Sequence, residues 1–414
     1  MNMRLGYGKS GISVDIPQRN LLQIMEPNPV NVPIGGREEV RRSLRQPIGA
    51  ARLSDIVKPG EKIVIVTSDI TRPVPSYDVI PPIIEELELA GVKDSDVTVV
   101  FAVGSHRRQT PEEMIRLVGQ EIYGRFRCVD SDPDDATHVG TSSAGTPYDM
   151  FTLVAKADRV ICVGNIEFHY FAGYSGGAKA VMPGVCTRAS IQANHSMMVD
   201  SRAAAGRLEG NPVREDIDEV AKFRRIDYIV NVVLDAHKKI LKSYAGHYLQ
   251  AHRAGCAFLD TLYKVPMREK ADAVIVSVGG YPKDLNLYQA QKGLDNAKHA
   301  VRDGGVSVLC ASCAEGLGEA HFERWMTEMA PEERIRQIKV NFQLGGHKAA
   351  AIAMVAQKAT ILLVSDLPEA FVQSLGLEPC SSMEAAMRRI YEICGRDAHI
   401  LVMPYAGSTL PQIG

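Results

Sequence analysis

The most chemically distinctive stretch of the sequence is a glycine-rich segment at residues 164–184, which contains five glycines, one histidine and one lysine. Glycine-rich backbone followed by a lysine, here Lys179, is typical of a phosphate-binding loop. The spacing departs from the common nucleotide motifs, because Ala178 precedes the lysine, Ala180 follows it, and G-x-G-x-x-G is absent. The segment therefore indicates a site for a nucleotide-like group that lacks the usual signature.

Three histidines stand in or near loops of this kind. His106 follows a strand-like run and a glycine, His169 lies inside the glycine-rich segment, and His195 follows it in Asn-His-Ser. A histidine at a strand end is well placed to act as an acid or a base. Three histidines could also ligate zinc, although no H-E-x-x-H or H-x-H pattern is present. Spacing alone leaves acid–base catalysis and a zinc site both open.

Two further segments contain groups that suit an anion. Arg72, in the polar loop at residues 68–73, could bind a carboxylate or phosphate through two hydrogen bonds, although a capping pair with Asp69 would look the same. Tyr288 and Lys292 are four residues apart, so they share one face of a predicted helix start, with Gln289 alongside.

Short apolar runs alternate with helical patterns along the chain, which predicts an α/β fold in which loops at the carboxyl ends of parallel strands hold the functional residues. The predicted strands span residues 61–67, 96–103, 159–163, 228–234, 271–278, 305–311, 360–364 and 398–403. The predicted helices include residues 81–90, a Thr110-capped helix, and residues 249–262, 288–301, 331–339, 346–355 and 382–393. The pattern restarts near residues 265–271, which predicts a domain boundary there.

Composition excludes several classes of protein. With 47 basic and 49 acidic residues the formal net charge is −2, and 45% of the residues are hydrophobic, so disorder and nucleic-acid binding are disfavoured. No apolar run approaches the length of a membrane span, and no signal-peptide pattern is present, so we expect a cytoplasmic protein without a membrane association. The eight scattered cysteines suit a reducing compartment, and Cys310-Ala-Ser-Cys313 is interpreted as a strand end with buried thiols.

Taken in order, these loops resemble the nickel-dependent lactate racemase family, whose members contain a nickel-pincer nucleotide. The similarity runs from about residue 5 to 405 and includes DITRPVP (69–75), VGSHRR (103–108), EFHYFAGYSGGAKAVMPG (167–184), ANHS (193–196) and GGYPKDLNLYQAQKG (279–293). The resemblance implies two α/β domains with the active site in the cleft between them. We therefore expect an N-terminal domain at residues 1–265, to which residues near 400–414 return, and a C-terminal domain at residues 270–398.

The resemblance also implies a cofactor site. Lys179 matches the lysine that attaches the nickel-pincer nucleotide (pyridinium-3,5-bisthiocarboxylic acid mononucleotide nickel), and His195 matches the histidine that ligates nickel. His106 and His169 match the paired acid–base histidines. Other positions that match the neighbourhood of the cofactor are Asp69, Ser175, Gly176, Gly177 and Phe342.

The implied activity is racemisation or epimerisation of a 2-hydroxy carboxylic acid. The Cα proton of such an acid is very weakly acidic, so moving the hydrogen as hydride to the cofactor, while a histidine takes the hydroxyl proton, avoids a carbanion. The flat keto acid can then take hydride back on either face. The resemblance assigns substrate contacts to Arg72, Tyr288, Gln289 and Lys292, of which the cations would fix the carboxylate.

Two departures from the family pattern concern the substrate. The family has a Trp in the second domain near the cofactor, whereas the only Trp here is Trp325, which we do not align there, and Phe342 is expected to fill that position. Lys348 adds a cation nearby, and the small Ser105 precedes His106. We therefore expect a substrate larger or more polar than lactate, such as malate or a sugar acid, with lactate still possible.

Two alternatives to the racemase hypothesis remain at the level of sequence. One is a zinc-dependent hydrolase or lyase that uses His106, His169 and His195. The other is a non-catalytic cofactor-binding member of the same family, which would keep Lys179 without needing the acid–base pair. Under the racemase hypothesis, the expected partners are a small 2-hydroxy acid and the proteins that make the cofactor.

Overall fold

The structure is a computed structural model, and it describes residues 1–30, 32–72, 74–235 and 238–413, so Pro73 of the DITRPVP motif lies outside the described residues. The chain forms two compact units. We call Val30–Asp260 the central unit, and Met1–Pro29 together with Thr261–Gly414 the composite unit.

The chain begins with three short strands of the composite unit. They are β1 (Asn2–Leu5), β2 (Ile12–Asp15) and β3 (Leu21–Ile24). Strands β1 and β2 form an antiparallel hairpin, and β3 continues into a larger sheet described below.

A six-stranded sheet in the order β13-β12-β9-β4-β5-β6 forms the centre of the central unit. All neighbours in it are parallel except β12 and β13. Its inner strands are continuous buried apolar runs, as expected for a sheet covered on both faces. The strands of this unit are β4 (Ile63–Ser68), β5 (Val97–Ala102), β6 (Arg127–Asp130), β7 (Ala136–Thr141), β8 (Pro147–Phe151), β9 (Arg159–Asn165), β10 (Phe168–His169), β11 (Gly173–Tyr174), β12 (Tyr228–Leu234) and β13 (Ile240–Gly246).

Nine α-helices accompany these strands in the part of the chain that the structure describes. They are α1 (Gly36–Arg45), α2 (Leu53–Ile56), α3 (Ser76–Leu89), α4 (Pro111–Val118), α5 (Gln120–Arg125), α6 (Thr152–Ala155), α7 (Arg188–Ser196), α8 (Pro212–Glu219) and α9 (Gln250–Tyr263). The predicted Thr110 cap of α4 is confirmed, because its side chain accepts a hydrogen bond from the Glu113 amide and Glu113 completes a capping box.

Helix α3 begins five residues earlier than the sequence predicts, and it contains Pro81 and Pro82 in its interior rather than its first turn. A proline inside a helix removes the amide that would bind the carbonyl four residues before it. For Pro81 that carbonyl belongs to Tyr77, and the Arg37 side chain donates to it instead at 3.1 Å. A substitute donor from α1 therefore satisfies this carbonyl.

The composite unit contains a second six-stranded sheet, in the order β18-β17-β16-β15-β19-β3, and all of its neighbours are parallel. The remaining strands of the unit are β14 (Lys264–Met267), β15 (Ala271–Ser277), β16 (Val301–Cys310), β17 (Ala359–Val364), β18 (Glu378–Cys380), β19 (Ile400–Met403) and β20 (Leu410–Ile413). Its helices are α10 (Leu287–Ala297), α11 (Ala320–Glu328), α12 (Pro331–Val340), α13 (Gly346–Ala356), α14 (Glu369–Ser374) and α15 (Met383–Cys394).

The compact units differ from the predicted domain ranges in two places. The first 29 residues leave the predicted N-terminal domain, because β3 pairs with β19 and Leu5, Val14 and Ile16 are buried in the core of the composite unit. The residues near 400–414 also stay in the composite unit, where β20 pairs in parallel with β14. The pattern of a single sequence predicts where strands lie but not which strands pair. Strand pairing decides to which compact unit each of these segments belongs.

The Cys-x-x-Cys motif lies at the end of β16, as the sequence predicts. Cys310 is the last residue of that strand, and Cys313 follows with a left-handed backbone (φ 52°). Both thiols are buried, and burial raises the pKa of each to about 12, which keeps them protonated. No helix among the described residues has both the length and the apolar character needed to cross a membrane.

Candidate active site

The candidate site of the central unit lies where β4, β5 and β9 end. These three strands are neighbours in the sheet and run parallel, so the loops that follow them leave the same edge. The loop after β4 contains Asp69 and Arg72, the loop after β5 contains His106, and the segment after β9 contains His169 and Lys179. Tertiary structure thereby gathers residues that are up to 110 positions apart in sequence.

Asp69 and His106 form a short polar pair across two of these loops. The Asp69 Oδ2 atom lies 2.6 Å from His106 Nδ1, and Thr71 donates to the other carboxylate oxygen at 2.7 Å. Burial alone would raise the pKa of Asp69, but the hydrogen bond and charge of His106, with Thr71 and Arg72, hold it below its usual value. The ionised carboxylate therefore fixes the proton of His106 on Nδ1 and leaves Nε2 as the ring's basic nitrogen.

His169, His195 and Lys179 surround the ring of Phe171. The Phe171 centroid is 4.5 Å from that of His169 and 4.9 Å from that of His195, and Lys179 Nζ is 6.0 Å from the same ring. The Ala172 amide donates to His169 Nδ1 at 3.2 Å, which places the proton of the neutral ring on Nε2. His169 thus has the opposite tautomer to His106.

The surroundings of His169 and Lys179 disfavour the charged form of each side chain. Burial is the main cause that lowers the pKa of His169 well below its ordinary value, and the positive charges of Arg72 and Arg214 add to this. Burial also lowers the pKa of Lys179 well below the usual lysine range, with Arg214 and Arg72 as the main charged causes. An uncharged amine is a nucleophile, so Lys179 is suited to form a covalent bond.

Glycines shape the backbone that presents Lys179. Gly176 and Gly177 both have positive φ values, 76° and 63°. A Cβ atom on Gly177 would lie 2.9 Å from the His252 ring, and one on Gly176 would lie 2.7 Å from the Asn231 side chain. The preceding residue, Ser175, donates to the Asn165 carbonyl at 2.7 Å. The loop can therefore follow this path only with glycine at both positions.

A buried chain of polar side chains orients His195 from α7. The His195 Nδ1 atom lies 2.8 Å from Asn194 Oδ1, and Asn194 donates in turn to Asp216 of α8 at 2.7 Å. Asn194 and Asp216 are both buried. Because Nδ1 is committed to Asn194, Nε2 is the ring nitrogen suited to a metal, and an oriented histidine of this kind is typical of metal sites.

The three histidines do not assemble into a zinc site by themselves. Among the residues that the structure describes, no group of three or more His, Cys, Asp or Glu side chains has an arrangement that could hold a metal ion. Asp69 and Asn194 instead bind His106 and His195 separately. This geometry does not support the three-histidine zinc hydrolase or lyase.

The remaining predicted site residues belong to the composite unit. Tyr288 and Gln289 lie in the first turn of α10, Lys292 follows one turn later, and Asn286 caps the helix by accepting from the Gln289 amide at 3.0 Å. Gln289 and Lys292 are exposed, and Tyr288 is half-buried.

Lys348 and Tyr288 are in direct contact. Lys348 Nζ donates to the Tyr288 carbonyl at 2.5 Å and lies 3.7 Å from the centroid of its ring. His347 stands 5.3 Å from Phe342 and 6.5 Å from Tyr288, measured between ring centroids. The composite unit therefore brings Phe342, which follows α12, together with Lys348 of α13 and Tyr288 of α10. Trp325 is buried in α11 and donates to Gln343 at 3.1 Å.

Sequence reasoning missed the buried polar residues that support these groups. Asn194 and Asp216 stand behind His195, and others described below bind the loop before Lys179. Asn211-Pro212 was a usable signal, because Asn before Pro is typical of a helix start, and Asn211 does cap α8. Nothing in their spacing shows that such residues meet the loop.

The fold and this cluster define an α/β protein in which histidines from two loops stand beside a lysine whose pKa is lowered well below the usual range. Family models support a particular class of isomerase. The model of the lactate racemase N-terminal domain matches residues 7–206, and that of the lactate racemase C-terminal domain matches residues 267–410.

Individual relatives agree with the family models. The lactate racemase of Thermoanaerobacterium thermosaccharolyticum is 33% identical over 416 residues, and that of Lactiplantibacillus plantarum is 31% identical over 413 residues, each alignment covering 97% of both chains. The structure of the T. thermosaccharolyticum apoprotein matches with a TM-score of 0.90 at 32% identity over the whole of both chains. A Thermotoga maritima protein shares the fold at 17% identity, with a TM-score of 0.64, over 92% of this chain and all of that one.

The chain therefore belongs to the lactate racemase family, and it is an isomerase of the racemase type. The predicted α/β class and the predicted family are both confirmed.

Proposed function

We propose that the protein racemises or epimerises a 2-hydroxy carboxylic acid with a nickel-pincer nucleotide held by Lys179 and His195. The observation that supports this most directly is the position of Lys179. Its amine, whose pKa is lowered by burial, lies at the edge of the sheet where His106 and Asp69 also lie, and it stands near the ring of Phe171, which His169 and His195 contact.

The residues present fit such a group in two respects. Lys179 is half-buried and its pKa is lowered, so its amine loses a proton and becomes a nucleophile more readily than the ammonium of an exposed lysine does. His195 is oriented by Asn194 so that Nε2 can ligate nickel, while the sulfur and carbon ligands would come from the cofactor. When bound, the nucleotide would accept hydride from the substrate Cα and return it.

His106 is the base whose orientation the contacts explain best. With its Nδ1 proton directed to the Asp69 carboxylate, Nε2 can take the substrate's hydroxyl proton, and Asp69 stabilises the imidazolium that results. We propose this orienting role for Asp69, which the family resemblance had placed at the cofactor.

His169 serves the opposite enantiomer in this proposal. Its neutral ring has the proton on Nε2, so it can donate a hydrogen bond to the oxygen of a keto intermediate. In one direction of turnover one histidine would take the hydroxyl proton and the other, as its imidazolium, would return a proton to the keto oxygen; in the opposite direction the two would exchange roles.

Arg72 would fix the substrate carboxylate by charge-assisted hydrogen bonds, and the family resemblance assigns further substrate contacts to Lys292, Tyr288 and Gln289. Arg72 is exposed, and its charge lowers the pKa values of both His169 and Lys179, so it lies near the reacting groups. An exposed arginine in this position can bind an incoming anion.

The substrate we favour is larger or more polar than lactate, although the named relatives are lactate racemases. Lys348 supports this, because its ammonium is held beside Tyr288, one of the proposed substrate contacts. A second carboxylate or a row of hydroxyls could bind such a cation, whereas the methyl group of lactate could not.

Lys179→Ala tests the proposed cofactor role. We expect an apoprotein with an unchanged circular dichroism spectrum that gains no adduct mass after exposure to the nickel-pincer nucleotide, while the parent chain does gain it. Lys156→Ala is a matched control, since Lys156 lies after α6 and outside the site. An adduct of undiminished yield on Lys179→Ala would contradict the proposal.

A chirality-resolved screen of the loaded enzyme tests the substrate. The compounds are lactate, malate, tartrate and several aldonic acids, each assayed as a single stereoisomer. We expect the highest kcat/KM for an extended acid, and we expect Lys348→Met to reduce that value more than the value for lactate. If lactate turned over much faster than all the others, the substrate proposal would fail.

A further inference from the structure

Lys179 lies in a short 3-10 helix, Gly177–Ala180, and the backbone that leads to this helix is held mainly by buried side chains. Between Phe171 and Gly177 only Gly173–Tyr174 belongs to a strand, and that strand has two residues. The backbone groups of this segment nevertheless have buried partners. We call these partners, Asn211, Arg214, Asn231 and His252, the loop cradle.

Arg214 of α8 makes the largest contribution to the loop cradle. Its Nε atom donates to the Ala172 carbonyl at 3.1 Å, and its Nη2 atom donates to the Tyr174 carbonyl. Its third nitrogen, Nη1, pairs with Asp218 at 3.3 Å, and Asp218 also accepts from Arg253 at 2.6 Å. The guanidinium is fully buried, so these carbonyls and the carboxylate replace the water it has lost.

Two asparagines bind the two ends of the segment. Asn211 donates to the Phe171 carbonyl at 2.8 Å while its oxygen caps α8, and Asn231 of β12 accepts from the Gly177 amide at 2.7 Å. Both side chains are essentially inaccessible to solvent. The two ends of the segment are therefore attached to different elements, α8 and the central sheet.

His252 of α9 completes the cradle. Its Nε2 atom lies 2.8 Å from the Ser175 carbonyl, and Arg253 donates to Nδ1 at 2.8 Å, so the Nε2 proton points at the loop. Burial, with Arg214 as the largest charged cause, lowers the pKa of His252 to about 3, so the ring stays neutral. The ring also stands against Gly177, where a Cβ atom would collide with it.

These contacts fix a segment that ends two residues before Lys179. A buried carbonyl or amide that loses its hydrogen-bond partner is unfavourable, and moving the loop would break several such bonds together. Neither the family resemblance nor the predicted site included any of the four cradle residues.

We propose that the loop cradle, and Arg214 above all, consists of positioning residues that hold Lys179 where the cofactor must be attached. The proposal rests on the assignment of Lys179 as the attachment residue. It adds that attachment requires the fixed backbone, and that Arg214 acts through the Ala172 and Tyr174 carbonyls without touching substrate or cofactor.

The test compares Arg214→Gln with Arg224→Gln. Arg224 is the matched control, because it is also a buried arginine that donates to backbone carbonyls, those of Val154 and Ala157, but it does not contact the loop. The loss of a buried arginine should lower the Tm of both variants. A third variant, Arg214→Lys, keeps the charge and can still bind one carbonyl.

Two measurements follow on all three variants and the parent chain. Hydrogen–deuterium exchange of the apoprotein should show faster exchange of residues 171–179 in Arg214→Gln but not in Arg224→Gln. Peptide mass spectrometry after exposure to the nickel-pincer nucleotide measures the rate of adduct formation at Lys179. We expect this rate to be at least about tenfold lower in Arg214→Gln and partly restored in Arg214→Lys.

The outcomes distinguish the positioning role of Arg214 from the assignment of Lys179 as the attachment residue. Equal loop exchange and equal adduct formation in Arg214→Gln and Arg224→Gln would overturn the positioning role. If the parent chain formed no adduct at Lys179, the cofactor assignment would fall. The exchange result would then show by itself whether Arg214 fixes the loop.

Discussion

At the scale of single residues, the site depends on which nitrogen of each histidine has a proton. Asp69 fixes that choice for His106, and a backbone amide fixes the opposite choice for His169. Two chemically identical side chains thus begin with different roles, because each has a different partner at Nδ1.

Asp69→Asn should reduce turnover by about 100-fold, because an amide cannot stabilise the imidazolium of His106 and can favour the wrong tautomer. The measurement is kcat for each enantiomer with the cofactor-loaded enzyme. Asp149→Asn is the control, since Asp149 forms a similar 2.6 Å pair with His138, outside the site. Similar losses in both variants would argue against the orienting role.

Lys179 of the apoprotein should react with acetic anhydride at pH values where an ordinary exposed lysine has become slow. A lowered pKa means that the amine remains uncharged as the pH falls toward neutrality, whereas an ordinary lysine loses about tenfold in reactivity per pH unit. Peptide mass spectrometry measures the acetylation rate of Lys179 and of an exposed lysine across about pH 6–10, which gives one pH profile for each. Parallel profiles would show that burial does not hold Lys179 uncharged.

At the scale of elements, α7 and α8 together support His195, the proposed nickel ligand. Asn194 of α7 orients His195 and donates to Asp216 of α8, and Arg214 of the same α8 binds the loop before Lys179. The two proposed anchors of the cofactor therefore share one supporting helix.

Asn194→Ala should weaken nickel retention in the loaded protein by about 10- to 100-fold, because His195 loses the group that orients its ring. Nickel content after dialysis against a chelator, measured by atomic absorption, is the readout. Arg188→Ala is the control, since Arg188 is an exposed residue of the same helix. Unchanged nickel retention in Asn194→Ala would contradict this role.

At the scale of the whole molecule, the composite unit joins the two ends of the chain. Its sheet takes β3 from the first 29 residues and β19 from near the end, and Leu5, Val14 and Ile16 fill the same core as Ile400 and Val402. The N-terminal hairpin is therefore part of that unit's core.

Deleting residues 1–24 should destabilise the composite unit by about 5 kcal/mol or more, since three fully buried aliphatic side chains are lost together with β3. Hydrogen exchange should accelerate in Ile400–Met403, while Arg159–Asn165 of the central sheet keeps its protection. Equal acceleration in both strands would contradict the assignment of residues 1–29 to the composite unit.

Much of this could be predicted from the sequence, because it depends on local patterns. Tyr228–Leu234 has the bounds predicted for it, since a run of β-branched and apolar residues between turns specifies a buried strand. The Thr110 capping box and the glycine-rich loop were visible for the same reason. Helix α3 was placed less well, because a side chain from another helix, Arg37, makes its internal prolines tolerable.

The sequence by itself determined the residue types, their order and the family, and so it determined the candidate histidines and Lys179. Only the tertiary structure decided which side chains support them, that Asp69 binds His106, and that β3 pairs with β19. It also decided that four buried polar groups, from α8 with its cap, β12 and α9, bind the loop before Lys179. The physical reason is that desolvation and hydrogen-bond partners depend on distance in space, and residues far apart in sequence give no local sign of their contact.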